Sequence, residues 1–194
     1  AHLAVDTSTF APSVKALGNH VNMQQHIFST NHVYSTSFAA GYHYPLFATN
    51  GMIWTADLAP KNLSNGTDPA TTLTFSNDAM SWHERFHYVT HAMSIESAIV
   101  RTSADAATGD TVRYHIMSYD FTSGSSSVLT NGVLVAHTAD ITNAGYEQTY
   151  KTDFTIDIAA VAAGKVLIAT IECDSVNSDY SATLQLSLIH ISEP

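Results

Sequence analysis

The sequence predicts an all-β fold: an antiparallel β-sandwich or jelly roll behind a less regular N-terminal segment. Three observations predict it. Ser94–Tyr119 reads as two period-two runs joined by a turn, each rich in β-branched and aromatic residues. From Phe86 onward, further runs of this kind recur at regular spacing, separated by polar turns such as FTSGSSS, TADITNAG and DSVNSD. No long amphipathic helix and no internal repeat interrupts them.

The elements follow in order. Residues 1–50 lack clean periodicity, although His26, Phe28, His32, Tyr34 and Phe38 dot a stretch that reads as extended. Gly41–Pro45 reads as a bend, and Met52–Asp57 as a short strand. Lys61–Pro69 (KNLSNGTDP) is a loop carrying Asn-Gly and Asp-Pro dipeptides. Its Asn62-Leu63-Ser64 and Asn65-Gly66-Thr67 triplets match the glycosylation acceptor pattern, and turn chemistry explains them as well. Strands are then expected near 84–90, 94–103, 111–120, 131–138, 146–157, 165–173 and 179–190.

In the second of these strands Ile95, Ser97, Ile99 and Arg101 alternate with Glu96, Ala98, Val100 and Thr102. In the third, Val112, Tyr114, Ile116 and Ser118 alternate with Arg113, His115, Met117 and Tyr119. The link Ala104–Asp110 carries Gly109-Asp110, which suits a reversing backbone. In the fifth, Tyr146, Gln148, Tyr150, Thr152, Phe154, Ile156 and Ile158 share one face. The Ala-rich Ile158–Ala163 reads as a one-turn helix. Three parts result: an N-terminal segment 1–83, a sandwich domain 84–190 and a non-native tail 191–194. The chain starts at Ala1 without Met and ends in SLIHISEP, so it reads as a piece of a longer polypeptide whose natural C-terminus is missing.

Composition narrows the function. Of 194 residues 45% are apolar, enough for a core, and only 12% are charged, about half the usual share. The net charge is −10 with seven Lys and Arg, which argues against binding a nucleic-acid backbone or an anionic membrane. Eleven histidines admit a pH response, although a His-tolerant polar surface explains them too. The one cysteine, Cys173, lies in an apolar run and reads as a buried small hydrophobe. No apolar run is long enough for a membrane span.

The sharpest motif is His83-Glu84-Arg85-Phe86-His87, a literal H-E-x-x-H, followed by His91. On a helix His83 and His87 share one face within reach of one zinc ion, with Glu84 as general base. On a strand the two lie about 13 Å apart, which no single ion spans. The flanking Tyr88-Val89-Thr90 favours a strand, whereas Ser76-Asn77-Asp78 would cap a helix. Asp153 and Asp157 are too far apart along one strand for an acid–base pair. Asp174, Asn177 and Asp179 share a loop whose oxygens suit Ca²⁺, or a turn. No G-x-S-x-G, P-loop or G-x-G-x-x-G occurs. Tyr34, Tyr42, Tyr44, Trp54, Trp82, Tyr88, Tyr146 and Tyr180 are candidates for sugar or protein contact, most of them expected in packing.

Glu84–Leu188 resembles a β-sandwich module of marine bacteriophage virion proteins, found in tail-fibre and related structural polypeptides. The resemblance is carried by HERFHYVTHAMSIESAIVRTSADAATGDTVRYHIMSYD, NGVLVAHTADITNAGYEQTYKTDFTI and AAGKVLIATIECDSVNSDYSATLQLSL. It covers about half the chain, through loosely spaced motifs. It implies a non-enzymatic virion or extracellular component without cofactor. It also implies a homo-oligomer, a trimer, that contacts other virion proteins and possible host-surface glycans. Two other readings stand beside it: a carbohydrate-binding module of a secreted bacterial protein, and a zinc peptidase built on His83, Glu84 and His87. No catalytic residue is assigned otherwise. The candidate binding residues lie on three loops: Asn62, Asn65 and Asp68; Phe121 and Ser125; Asp174, Asn177 and Asp179.

Overall fold

Alternating apolar runs settle into strands, and the described residues contain no helix. The structure, a computed structural model, describes residues 24–33, 40–46, 66–74, 86–105, 108–122, 124, 128–145, 147–174 and 179–190. The strands are β1 (Gln24–Val33), β2 (His43–Pro45), β3 (Leu73–Thr74), β4 (His87–Tyr88), β5 (Met93–Asp105), β6 (Thr111–Asp120) and β7 (Val128–His137). They continue with β8 (Ile141–Thr142), β9 (Gln148–Asp153), β10 (Thr155–Ile156), β11 (Ala160–Val161), β12 (Lys165–Cys173) and β13 (Asp179–His190). All pairings are antiparallel.

Two sheets result. The five-stranded sheet places β13 between β1 and β5, with β9 and β11 sharing the far side of β5. The eight-stranded sheet centres on β6, between β7 and β12. Short strands extend it: β10 and β3 on β7, β2 and β4 on β12, β8 on β6. Ile95, Val100, Leu184 and Leu186 from one sheet meet Tyr114, Ile116, Leu167 and Ile171 from the other in the main core. Cys173 is buried there, and burial holds its thiol far above the ordinary cysteine range. The molecule is thus an all-β, jelly-roll-like sandwich.

Five local readings change in three dimensions. The Ser94–Tyr119 runs are strands, but they do not pair with each other. The Ala104–Asp110 link carries the chain from one sheet to the other, so β5 and β6 face each other across the core. A hydrogen bond spans the gap, the Thr102 hydroxyl donating to the Tyr114 hydroxyl at 2.6 Å. Both residues are fully buried. Tyr114→Phe leaves the Thr102 hydroxyl without its acceptor and is expected to cost about 1.5 kcal/mol. Urea unfolding checks this, and a change below about 0.5 kcal/mol would show the bond to be energetically idle.

The simple alternation of β5 also fails. Against β13 the register slips between Ser187 and Leu188, which pair with Ser97 and Ile95, so Glu96 is an extra residue. This bulge moves the inward face from Met93 and Ile95 to Ala98, Val100 and Thr102. The fifth run is divided as well. Its inward face holds through Tyr150, Thr152, Phe154 and Ile156, but β9 pairs with β5 whereas β10 pairs with β7. The chain changes sheets at the buried Phe154, whose N–H donates to Ala98 O at 2.9 Å.

The one-turn helix expected at Ile158–Ala163 is instead β11, with Val161 buried against Met93. Pairing with β5 outweighs the helix preference of alanine. Within Gly41–Pro45 the bend is confined to the start, because His43–Pro45 is a buried strand on β12. The strand expected at Met52–Asp57 lies outside the described residues.

β6 is buried on both faces. Val112, Tyr114 and Ile116 point into the sandwich, and His115, Met117 and Tyr119 point to its outside. A third layer covers that outer face. Residues 66–74 pack Leu73 and Ala70 onto Met117, Tyr119, Leu129, Val166 and Ile168, forming a second apolar core.

Candidate functional site

His87 is extended, not helical. It registers with Leu167 of β12, and Tyr88 with Val166. A helix through His87, the condition for the zinc reading, is therefore not met; His83 and Glu84 lie outside the described residues. Burial lowers the His87 pKa, and its Nε2 makes no hydrogen bond. His91 is exposed and lies beside Thr90, Nδ1 to Oγ1 at 3.0 Å. Among the described residues no three His, Cys, Asp or Glu side chains are placed to hold a metal ion.

The three predicted loops are placed in part. Asn62, Asn65, Ser125 and Asn177 lie outside the described residues. Asp174 directly follows β12 and uses Oδ1 to accept the Thr111 N–H at 2.7 Å, a structural cap joining β6 to the end of β12. Asp179 opens β13, in register with Asp105. Asp153 pairs with Lys151 on its own strand, and Asp157 with His137, so the two carboxylates serve separate partners. Among the aromatic candidates, Tyr44 and Tyr180 are core residues and Tyr42 packs beside them. Tyr34, Trp54, Trp82 and Tyr146 lie outside the described residues.

Phe121 and Tyr88 do come together. They are 42% and 50% exposed, unusual for rings this large. Their centroids lie 6.4 Å apart at an interplanar angle of 73°, and Phe86 stands 6.5 Å from Phe121 at 64°. The rings form a corner at one end of the eight-stranded sheet. Antiparallel pairing builds it, because Tyr88 lies beside Val166, which lies beside Tyr119, two residues before Phe121. The adjoining strand ends are fixed by Asp120, which takes Lys165 on one oxygen and the Asn131 amide on the other. These two partners hold the Asp120 carboxyl below its ordinary pKa.

Asp68 belongs to a second cluster, on the covered outer face of the same sheet. In register there, His137, His115, Thr170 and Pro45 form one row across four strands, and Arg113, Glu172 and His43 form the next. His43 and His115 are fully buried, with ring centroids 4.9 Å apart and edge to face. His43 Nε2 donates to Gly66 O at 2.7 Å, and Asp68 stands 3.8 Å from His115 Nε2.

His43 Nδ1 and both nitrogens of His115 have no hydrogen bond. The Thr67 backbone lies close enough to favour a proton on His115 without completing one of normal geometry. Burial first, then His43, Arg113 and His137, lower the His115 pKa to about 3. Burial also lowers that of His43, outweighing Gly66 and Asp68, which raise it. Burial raises that of Glu172. The sequence could not place His43 beside His115; its only signal was the abundance of histidine.

No family model matches the sequence, and no curated protein is similar to it. Among solved structures, the chain is similar to Eiger TNF from S. frugiperda, at 8% identity and a TM-score of 0.37 over 87% of this chain and 94% of that one. It is also similar to the structure of infectious bursal disease virus Gx strain, at 12% identity and a TM-score of 0.37 over 89% of this chain. That match spans 34% of the viral chain. At such distances neither likeness bears on function.

Proposed function

We propose that this chain is a non-enzymatic virion structural module of tail-fibre type, which assembles with copies of itself and presents its loops to other virion proteins or to a host surface. The observation that carries this reading is the outer face of the five-stranded sheet. Ser97, Ile99 and Ser103 of β5 and Ser181, Thr183, Gln185 and Ser187 of β13 lie there, between buried neighbours. Along these positions Arg101 is the one charge, although the whole chain carries −10; at the border of the face β9 adds Lys151 and Asp153, which pair with each other at 3.0 Å. Depletion of charge is what marks the centre of a protein interface.

Three strands of ten residues or more, β1, β13 and β5, with the six-residue β9 beside them, lie about 4.8 Å apart and give a face on the order of 600 Å². That is close to the roughly 800 Å² per partner of a standard interface. The occupant is a second copy of the chain, in an assembly of three as the sequence resemblance implies. No helix among the described residues is long and apolar enough to cross a membrane.

The test is oligomeric state by light scattering after gel filtration. The wild-type chain is expected to run as a trimer. Gln185→Glu with Ser187→Asp puts two charges without partners into the buried face, several kcal/mol in cost, and should leave a folded monomer. A wild-type monomer, or a variant trimer, would overturn the reading.

A second reading, a glycan-binding module, is favoured by the aromatic corner of Phe86, Tyr88 and Phe121. Rings set at steep angles offer apolar walls to sugar faces. Tyr88→Ala should then abolish retention on a glycan array without changing assembly. Equal retention of both proteins, or none by either, removes this reading.

A further inference from the structure

Residues 66–74 are tied to the eight-stranded sheet at several points along their length. His43 Nε2 donates to Gly66 O at 2.7 Å, the Tyr119 hydroxyl to Ala70 O at 2.7 Å, and Gly132 N to Thr71 O at 2.8 Å. Beyond these, the Gly66 N–H donates to Gly41 O at 3.2 Å, and β3 adds a two-residue pairing with Leu129 and Val128. Under the near end of the segment lie the two buried imidazoles, 4.9 Å apart, with three ring nitrogens that have no partner. Such a pair is tolerable only while uncharged, because a buried charge needs a partner.

We propose that His43 and His115 form an acid-operated latch, which keeps residues 66–74 over the outer face of the eight-stranded sheet near neutral pH and releases them when both rings are protonated.

The surrounding charges fix the direction. From the segment itself, Asp68 stands 3.8 Å from His115 Nε2 and is half exposed. It can compensate one proton. From β6, Arg113 adds a positive charge whose Nε is itself buried without a partner. From β7 comes His137, already bound to Asp157 at 2.7 Å. From β12 comes Glu172, which registers with both His43 and Arg113, and whose burial disfavours its charged form. Among the described residues the first proton therefore finds Asp68, and the second finds two like charges close by. Opening the segment hydrates both rings and relieves that repulsion. It also uncovers Met117, Tyr119, Leu129 and Ile168, so the latch guards an apolar surface.

Hydrogen exchange read by mass spectrometry, corrected for intrinsic rates, tests the latch on the intact chain. Between about pH 7.5 and about pH 5, amides in 66–74 should lose protection by about tenfold or more while those of β12 and β13 keep theirs. His43→Gln with His115→Gln should hold the segment closed at both values. Asp68→Asn removes the counter-charge and should move release to higher pH. In wild-type protein, NMR titration of the two rings should coincide with opening of the segment, a check that needs no variant. Unchanged protection at low pH, or either ring titrating near its ordinary value with the segment closed, would overturn the latch.

Discussion

Gly132→Ala is expected to destabilise the protein by about 3 kcal/mol and to loosen residues 66–74. A Cβ at this position of β7 would stand 2.4 Å from Tyr119 Cε1 and 2.8 Å from Thr71 Cα. Neither neighbour can move freely. Tyr119 is fully buried in the second apolar core, and its hydroxyl donates to Ala70 O at 2.7 Å. Thr71 is fixed by its own carbonyl, which accepts the Gly132 N–H at 2.8 Å. A methyl group must therefore push apart the sheet and the segment that covers it, breaking several anchors at once. Urea unfolding should show a lower midpoint, and exchange of amides in 66–74 should rise. Val133→Ala, next along the strand but 40% exposed, should change stability by less than about 0.5 kcal/mol. Equal stability of the two variants would mean that Tyr119 finds another place.

The sequence is a good guide to the long strands of the sandwich, for a local reason. In β5, β6, β12 and β13 apolar side chains recur with the pleat, and the breaks between them carry turn residues. What it conceals is set by partners distant in sequence. The bulge at Glu96 arises from pairing with Ser187 and Leu188, and a one-residue slip leaves both halves of β5 looking regular. The change of sheet at Phe154 leaves the inward face continuous, so no break in pattern marks it. The helical reading of Ile158–Ala163 rests on alanine propensity, a weak preference that pairing with Met93 and Ser94 overrides.

The candidate site divides in the same way. Phe121 reads as a loop aromatic, yet its neighbour Tyr88 is supplied by another strand of the sheet. Asp68 reads as part of an exposed turn, and only the fold sets it over His115. His115 itself reads as one member of an alternating face. Its burial follows from the third layer, which no strand periodicity announces.

Acidification is expected to cost the protein about 3 kcal/mol of stability between about pH 7 and about pH 4.5, most of it through His115. The imidazole binds its proton near pH 6.5 when the chain is unfolded and near 3 when it is buried in the native state. Between those values the unfolded chain holds more protons, so stability rises with pH. The contribution is complete above about pH 6.5 and is lost as pH falls toward 3 for as long as residues 66–74 keep the ring covered; their release returns the ring to water and levels the loss off. At about pH 4.5 two units of that window have been crossed, at about 1.4 kcal/mol each. His43 and His87 are lowered too and act with the same sign. Glu172, raised by burial, acts with the opposite sign and returns part of the loss as it is protonated. Neutralising a chain of net charge −10 also relieves self-repulsion, again with the opposite sign. His115→Gln separates these contributions, because it removes the one large histidine contribution and leaves the others. Urea unfolding along a pH series should therefore give a steep loss for the wild-type chain and a shallow one for His115→Gln. Parallel curves would show that the His115 imidazole gains its proton in the folded protein as readily as in water, and that the enclosure around it is open to solvent.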